Sequence, residues 1–86
     1  MKLSEIREQL DKLDKCLDFI ILLRTSLTIL VGKVKSEQNL PIYYPDREQK
    51  IYDARESFSE KTGVNIEVLS RIYSLLISES VRIEKT

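Results

Sequence analysis

The stretch that decides the fold is residues 3–36, LSEIREQLDKLDKCLDFIILLRTSLTILVGKVKS. Its apolar residues recur at alternating steps of three and four, a spacing that places them on one stripe of an α-helix. The stripe runs through Leu3, Ile6, Leu10, Leu13, Leu17, Ile20, Arg24, Leu27, Val31 and Val34. Nothing before Gly32 interrupts the pattern, and a single glycine is only a mild penalty inside a helix. The stretch therefore predicts one very long helix, about residues 3–36.

Arg24 is the position of this stripe where a charged residue replaces an apolar one. A guanidinium keeps its charge inside a protein, and its burial without a partner is costly. Lys35 lies eleven residues further on, about three turns and ~20° round the helix, so it points nearly the same way. No neighbouring helical position supplies an obvious carboxylate. Two cations on the packed face of one helix require an anion.

Composition limits the classes of protein that fit this chain of 86 residues. Its 42% apolar and 33% charged residues are ordinary for a globular or bundle protein, and we expect a single domain, residues 1–86. A net charge of zero gives no basic surface for nucleic acid. With two glycines and two prolines, there is little material for the turns of a sheet protein.

Location is predicted from the lone cysteine and from the start of the chain. Cys16 has no partner for an internal disulfide, which favours a reducing compartment. The start, MKLSEIREQLDKLD, lacks the apolar core of a signal peptide, and the longest apolar run, residues 19–23, is too short to span a bilayer. We therefore expect a cytoplasmic protein that does not contact a membrane.

Two shorter helices are predicted after a loop at about residues 37–45, where Asn39, Pro41 and Pro45 break helical order. The second, about residues 46–62, is expected to begin with Asp46 as N-cap and Gln49 closing a capping box, and to stop near Gly63. The third, about residues 65–84, is expected to begin with Asn65 as N-cap. The fold class is therefore all-α, with three helices.

The length of the first helix conflicts with a monomeric globule. A helix of about 34 residues is ~50 Å long, whereas a compact chain of this size has a diameter of ~30 Å. The apolar stripe continues along the excess length, and the two shorter helices together are too small to cover it. An intertwined helical homodimer, in which two long helices pack together, resolves the conflict.

Polar residues also interrupt the apolar stripes of the other two helices. Arg47, with Glu48 beside it, continues the stripe of the second helix, and Ser80 and Glu84 continue that of the third. Each residue alone is compatible with an ordinary role, such as a side chain at the rim of the core or an Arg24–Glu84 bridge. Together they indicate a buried pocket rich in cations that suits a small polyanion.

Several kinds of chemistry lack the residues they need. The chain has no histidine, which removes histidine-based triads and histidine metal sites, and it has no glycine-rich phosphate loop. Cys16 has no identifiable base and is interpreted as a packing residue. An enzyme built from these residues works by positioning and electrostatics, and we expect neither a metal nor a cofactor.

At these residues the chain resembles the small all-helical chorismate mutases, including the mutase domains fused to prephenate dehydratase. The resemblance covers nearly the whole chain and depends on an ordered set of segments. These are Ile6-Arg7-Glu8, residues 10–14 (LDKLD), Arg24, residues 31–35 (VGKVK), residues 45–48 (PDRE) and residues 77–81 (ISESV). It implies an isomerase of aromatic amino acid biosynthesis that converts chorismate to prephenate as an intertwined homodimer, with two sites built from both protomers.

The resemblance also implies a role for each candidate residue. Arg24 and the partner's Arg7 hold the two carboxylates of the substrate, and Lys35 holds a carboxylate and the ether oxygen. Glu48 takes the ring hydroxyl, and Glu84 lies against the ether oxygen. The remaining polar lining is Arg47, Ser80 and Tyr44.

Two positions depart from the commonest pattern of the family. Many relatives have glutamine in place of Glu84; an ionised glutamate would repel the developing oxyanion, so we expect activity to fall as pH rises. Relatives often have aspartate near the substrate hydroxyl where this chain has Tyr44. That change leaves open an isochorismate-pyruvate lyase or a 4-amino-4-deoxychorismate mutase. A non-catalytic helical dimerisation module is a further alternative, although such a module would place Leu or Ile at position 24.

Overall fold

Three α-helices make up the computed structural model, which describes residues 1–86. They are α1 (Leu3–Glu37), α2 (Pro45–Thr62) and α3 (Ile66–Glu84), and there is no strand. The all-α class predicted from the sequence is confirmed. α3 packs against both α1 and α2, whereas α1 and α2 do not pack against each other.

The helix ends have local causes. α1 ends before Asn39, whose φ of 55° lies in the left-handed region. α2 ends at Gly63 with a φ of 77°, and its N–H donates to the Ser59 carbonyl at 2.8 Å, as in a left-handed C-cap. The predicted N-cap of α3 is confirmed, because Asn65 Oδ1 accepts a hydrogen bond from Glu67 N at 2.8 Å.

The predicted N-cap and capping box of α2 are wrong. The N-cap is Tyr44, no side chain caps the helix, and Pro45 occupies its first turn. Gln49 Nε2 donates to Asp53 Oδ1 at 2.9 Å and closes no capping box with Asp46. The physical reason is Pro45 itself: its fixed φ suits the first helical position, where its missing N–H costs nothing. The helix therefore begins before Asp46.

The first half of α1 extends away from the other two helices. Every residue from Met1 to Leu23 is exposed, and the half-buried residues of α1 all lie between Arg24 and Lys35. The molecule measures 55 × 26 × 15 Å, with a radius of gyration of 16.2 Å, against ~12 Å for a compact globule of this length. α3 covers only the second half of α1.

No residue of the single chain is fully buried. Side chains of the predicted apolar stripe are open to solvent: Leu13 is 63% exposed and Ile20 is 60% exposed. Apolar side chains off the stripe, such as Phe19 and Leu22, are also exposed, so α1 is apolar on every side at residues 19–23. A helix of that kind belongs inside a larger packed structure. None of the three helices combines the length and hydropathy that crossing a membrane requires.

Candidate functional site

The ammonium group of Lys35 is the centre of the candidate site. Its Nζ donates a hydrogen bond to the Ile42 carbonyl at 2.9 Å, lies 2.5 Å from Glu84 Oε1 and lies 4.9 Å from the centre of the Tyr44 ring. α1 supplies Lys35, α3 supplies Glu84, and the segment between α1 and α2 supplies the other two contacts. Three parts of the chain thus hold one cation, whose side chain is 16% exposed.

Glu84 is the last residue of α3, and its side chain is only 7% exposed. Its Oε1 lies 2.5 Å from Lys35 Nζ and has no other polar partner in the chain. The Arg24–Glu84 bridge that the sequence left open does not form, because Glu84 pairs with Lys35 instead.

Arg24 is half-buried on the face of α1 that meets α3. Its Nε has no hydrogen-bond partner, and Arg24 Nε and Glu84 Oε1 are the two buried side-chain polar atoms left in this state. The hydroxyl of Thr28, one turn further on, donates to the Arg24 carbonyl at 2.8 Å and leaves the guanidinium free. A buried guanidinium without a carboxylate is suited to bind an anion in bidentate geometry.

The remaining candidates make few polar contacts within the chain. Ser80 is half-buried and donates to the Leu76 carbonyl at 2.9 Å, which leaves its oxygen free to accept. Glu48 is half-buried in the first turn of α2, beside the exposed Arg47, and neither takes part in an ion pair. Tyr44 is 39% exposed.

Arg7 does not join this group within one chain. It is exposed and precedes Arg24 by 17 residues on the same helix, which separates their Cα atoms by about 25 Å along the axis. No side chain of arginine length bridges that distance. Arg7 therefore serves no site of its own chain together with Arg24.

The other ion pair of the chain, Arg82–Glu79, is on the exposed face of α3. The Arg82 hydrogen bond lowers the pKa of the Glu79 carboxyl, and the same bond raises the pKa of Arg82. Both groups are open to water, where an ion pair contributes little to stability. No group of three or more His, Cys, Asp or Glu side chains lies close enough to hold a metal ion.

Two contributors to the site were missed from the sequence. The backbone carbonyl of Ile42 holds Lys35, and Gly32 allows the backbone of α3 at Glu84 to approach α1. No sequence pattern reports the direction of a loop carbonyl. A glycine in the middle of an otherwise strong helix is a detectable signal of close approach, and here it was interpreted only as a mild penalty.

Comparisons with known proteins agree with the sequence resemblance. The family model described as chorismate mutase type II matches residues 6–85. The chorismate mutase of Methanocaldococcus jannaschii is 31% identical over 84 residues, which cover 98% of this chain and 85% of that protein. The T-protein of Haemophilus influenzae is 35% identical over 78 residues, 91% of this chain. The 4-amino-4-deoxychorismate mutase of Streptomyces venezuelae is 26% identical over 83 residues, 96% of this chain and 81% of that protein.

The share of each relative's length that this chain spans varies widely. The chain spans 21% of the T-proteins of Haemophilus influenzae and Enterobacter agglomerans but most of the Methanocaldococcus jannaschii protein. No solved structure matches the chain at a significant level. Because the family match extends from the first turns of α1 to the residue that follows α3, the chain belongs to the chorismate mutase type II family.

Proposed function

We propose that this chain catalyses the rearrangement of chorismate to prephenate. The observation that carries the proposal is the half-buried Arg24, whose Nε has no hydrogen-bond partner, together with the poorly exposed Lys35–Glu84 ion pair. Chorismate is a small dianion with an ether oxygen, and it offers carboxylates to the cations and an acceptor to a protonated Glu84. Membership of the family supports the same reaction.

The rearrangement is intramolecular and needs no nucleophile, base, metal or cofactor. Arg24 and the partner's Arg7 hold the two carboxylates, and binding both of them selects the compact reactive conformer of a flexible substrate. Lys35 and Glu84 donate to the ether oxygen, where negative charge grows as its bond to the ring breaks. Glu48 accepts from the ring hydroxyl, and Arg47, Ser80 and Tyr44 complete the lining. We place this reaction in the cytoplasm, the compartment expected from the lone Cys16.

The working form in this proposal is a homodimer. The exposed first half of α1 and the absence of any fully buried residue support it, because a folded chain buries most of its apolar side chains. A second α1 packed along the first would cover residues such as Leu13 and Ile20. It would also bring Arg7 of one protomer towards Arg24 of the other.

Mixing two inactive variants tests the shared site. We expect Arg7→Ala and Arg24→Leu each to be nearly inactive and to regain about a quarter of wild-type activity after equal amounts are unfolded, mixed and refolded together. Half of the dimers are then mixed, and each mixed dimer holds one intact site. The measurement is the rate of substrate loss in the refolded mixture.

The matched control mixes Arg24→Leu with Lys35→Met. Both residues belong to the same protomer's half of a site, so every site in a mixed dimer carries one defect and no activity returns. Equal recovery of activity in the two mixtures, or no recovery in the first, would show that Arg7 does not complete the site of the partner protomer.

The first test of function is direct: loss of chorismate absorbance with purified protein, with identification of the product. Prephenate formation supports the proposal. The similarity to the 4-amino-4-deoxychorismate mutase supports a mutase of the 4-amino analogue as the second candidate, and isochorismate is assayed in parallel. Turnover of either analogue without turnover of chorismate would reject the proposed substrate, and no turnover at all would favour a dimerisation module.

The pH dependence tests the role of Glu84. We expect kcat/KM to fall as pH rises, because an ionised carboxylate has no proton to donate and repels the charge on the ether oxygen. Glu84→Gln carries permanent N–H donors, so its activity should vary little with pH. The check is a full pH–rate profile of both proteins; a flat wild-type profile would contradict the role given to Glu84.

A further inference from the structure

Gly32 lies inside α1, three residues before Lys35, where the last residue of α3, Glu84, packs against it. A Cβ atom at this position would lie 3.2 Å from Glu84 Cα, 3.7 Å from its Cγ and 3.8 Å from its Cβ. Carbon atoms are best separated by about 3.5–4.0 Å, so the first of these contacts is too short. The nearest atom belongs to the backbone of α3, which moves only if the helix moves.

The backbone conformation at Gly32 does not itself require glycine. Gly63 is the glycine of this chain with a positive φ, whereas Gly32 has ordinary helical neighbours on both sides. Inside a helix, glycine is less favourable than alanine. The feature that distinguishes Gly32 is therefore its contact with Glu84.

The same contact lies beneath the Lys35 side chain. Helical side chains lean towards the N-terminus of their helix and cover the preceding turn, and the turn before Lys35 contains Gly32. The missing side chain at position 32 thus lets α3 bring the Glu84 carboxyl to 2.5 Å from Lys35 Nζ, where the Glu84 side chain is only 7% exposed. A methyl group at position 32 would push the end of α3 away by a few tenths of an ångström.

We propose that Gly32 is a positioning residue, which sets the separation of α1 and α3 so that the Glu84 carboxyl is held against the Lys35 ammonium. The effect on turnover rests on the proposed function, whereas the effect on the Lys35–Glu84 contact does not. Because Glu84 acts on the ether oxygen as its bond breaks, a displaced carboxyl lowers kcat more than it changes KM. Misplacement of a reacting group by 1 Å costs about 100-fold, so a smaller displacement is expected to cost about 10-fold.

The experiment compares Gly32→Ala with Lys33→Ala, a matched change at the adjacent, exposed residue of α1. Activity on chorismate gives kcat and KM for both, and circular dichroism checks the fold. The ¹⁵N signal of the Lys35 ammonium, assigned by its loss in Lys35→Met, reports the contact without reference to activity. Gly32→Ala is also made in the Glu84→Ala background.

The expected result is that Gly32→Ala lowers kcat about 10-fold with KM nearly unchanged and broadens the Lys35 signal by faster exchange with water. Lys33→Ala should change neither kcat nor the Lys35 signal. In the Glu84→Ala background no carboxyl remains to be displaced, so there Gly32→Ala should lower kcat only slightly. An unchanged kcat and Lys35 signal in Gly32→Ala, or an equal loss in both backgrounds, would overturn the inference.

Failure of the proposed function and failure of the inference about Gly32 can be told apart. If wild-type protein does not convert chorismate, the proposed function fails, but the Lys35 signal still tests the role of Gly32. If Gly32→Ala does not fold in buffer, it is refolded in sucrose, which favours the compact state: a Lys35 signal as sharp as that of the wild type would overturn the inference, and a broadened signal supports it.

Discussion

Arg24→Leu is expected to lower kcat/KM by about 1,000-fold or more while the melting temperature stays the same or rises. The loss of activity follows because the guanidinium is the half-buried cation of α1 whose Nε has no protein partner, so its binding capacity is reserved for a ligand. Charge-assisted bonds to a carboxylate are about twice as strong as neutral ones. Leucine supplies the apolar contact but no donor.

Stability should move in the opposite direction to activity. Arg24 occupies the apolar stripe between Ile20 and Leu27, where leucine continues the pattern and avoids the cost of a poorly solvated charge. The measurements are steady-state kinetics with chorismate and thermal unfolding of both proteins. Opposite changes in activity and stability are typical of a residue kept for function at a structural cost.

The matched control for this prediction is Arg71→Leu, the same chemical change at an exposed position of α3. We expect it to retain activity. Arg24→Lys keeps the charge but loses the bidentate geometry of the guanidinium, so its activity should lie between those of Arg24→Leu and Arg71→Leu. Full activity of Arg24→Leu would exclude Arg24 from the proposed site.

Lys35→Met is expected to lower kcat by about 1,000-fold and, unlike Arg24→Leu, to destabilise the protein by about 1–3 kcal/mol. The ammonium is a proposed donor to the ether oxygen, so its removal leaves the growing charge without that partner. It also leaves the Glu84 carboxylate, with its side chain 7% exposed, without a nearby cation. Breaking one side of such a pair is costly because the other charge remains poorly solvated.

The double variant Lys35→Met/Glu84→Gln separates these two effects. A neutral amide needs no counter-ion, so the double variant should recover most of the stability without recovering activity. Lys33→Met removes an exposed lysine of the same helix and serves as the control. If the double variant regained activity together with stability, Lys35 would have only a structural role.

Elements that depend on neighbouring residues were predictable from the chain. The steps of three and four from Leu3 to Val34 predict α1 because a helix repeats every 3.6 residues, and Asn65 predicts the start of α3 because an N-cap bonds its own next turn. The charged Arg24 on an apolar stripe was visible for the same reason. Even the separation of Arg7 from Arg24 follows from the rise of a single helix.

The start of α2 shows where local patterns compete. Asp46 and Gln49 match a capping box in sequence, but Pro45 takes the first helical position and moves the N-cap to Tyr44. Both signals are local, and the fixed φ of proline prevails over a side-chain hydrogen bond of modest net worth. A proline directly before a proposed N-cap is therefore better interpreted as the first residue of the helix.

The sequence pattern alone thus specified three helices, their stripes and the set of polar residues along those stripes, because each depends on residues within a few turns of one another. Which of those residues meet was decided by the packing of α3 on α1. Lys35 and Glu84 are far apart in the chain, and their contact depends on the direction of the Ile42 carbonyl and on the space left by Gly32. Side-chain type restricts such pairings only weakly, since Arg24 was an equally plausible partner for Glu84 until the two helices were placed.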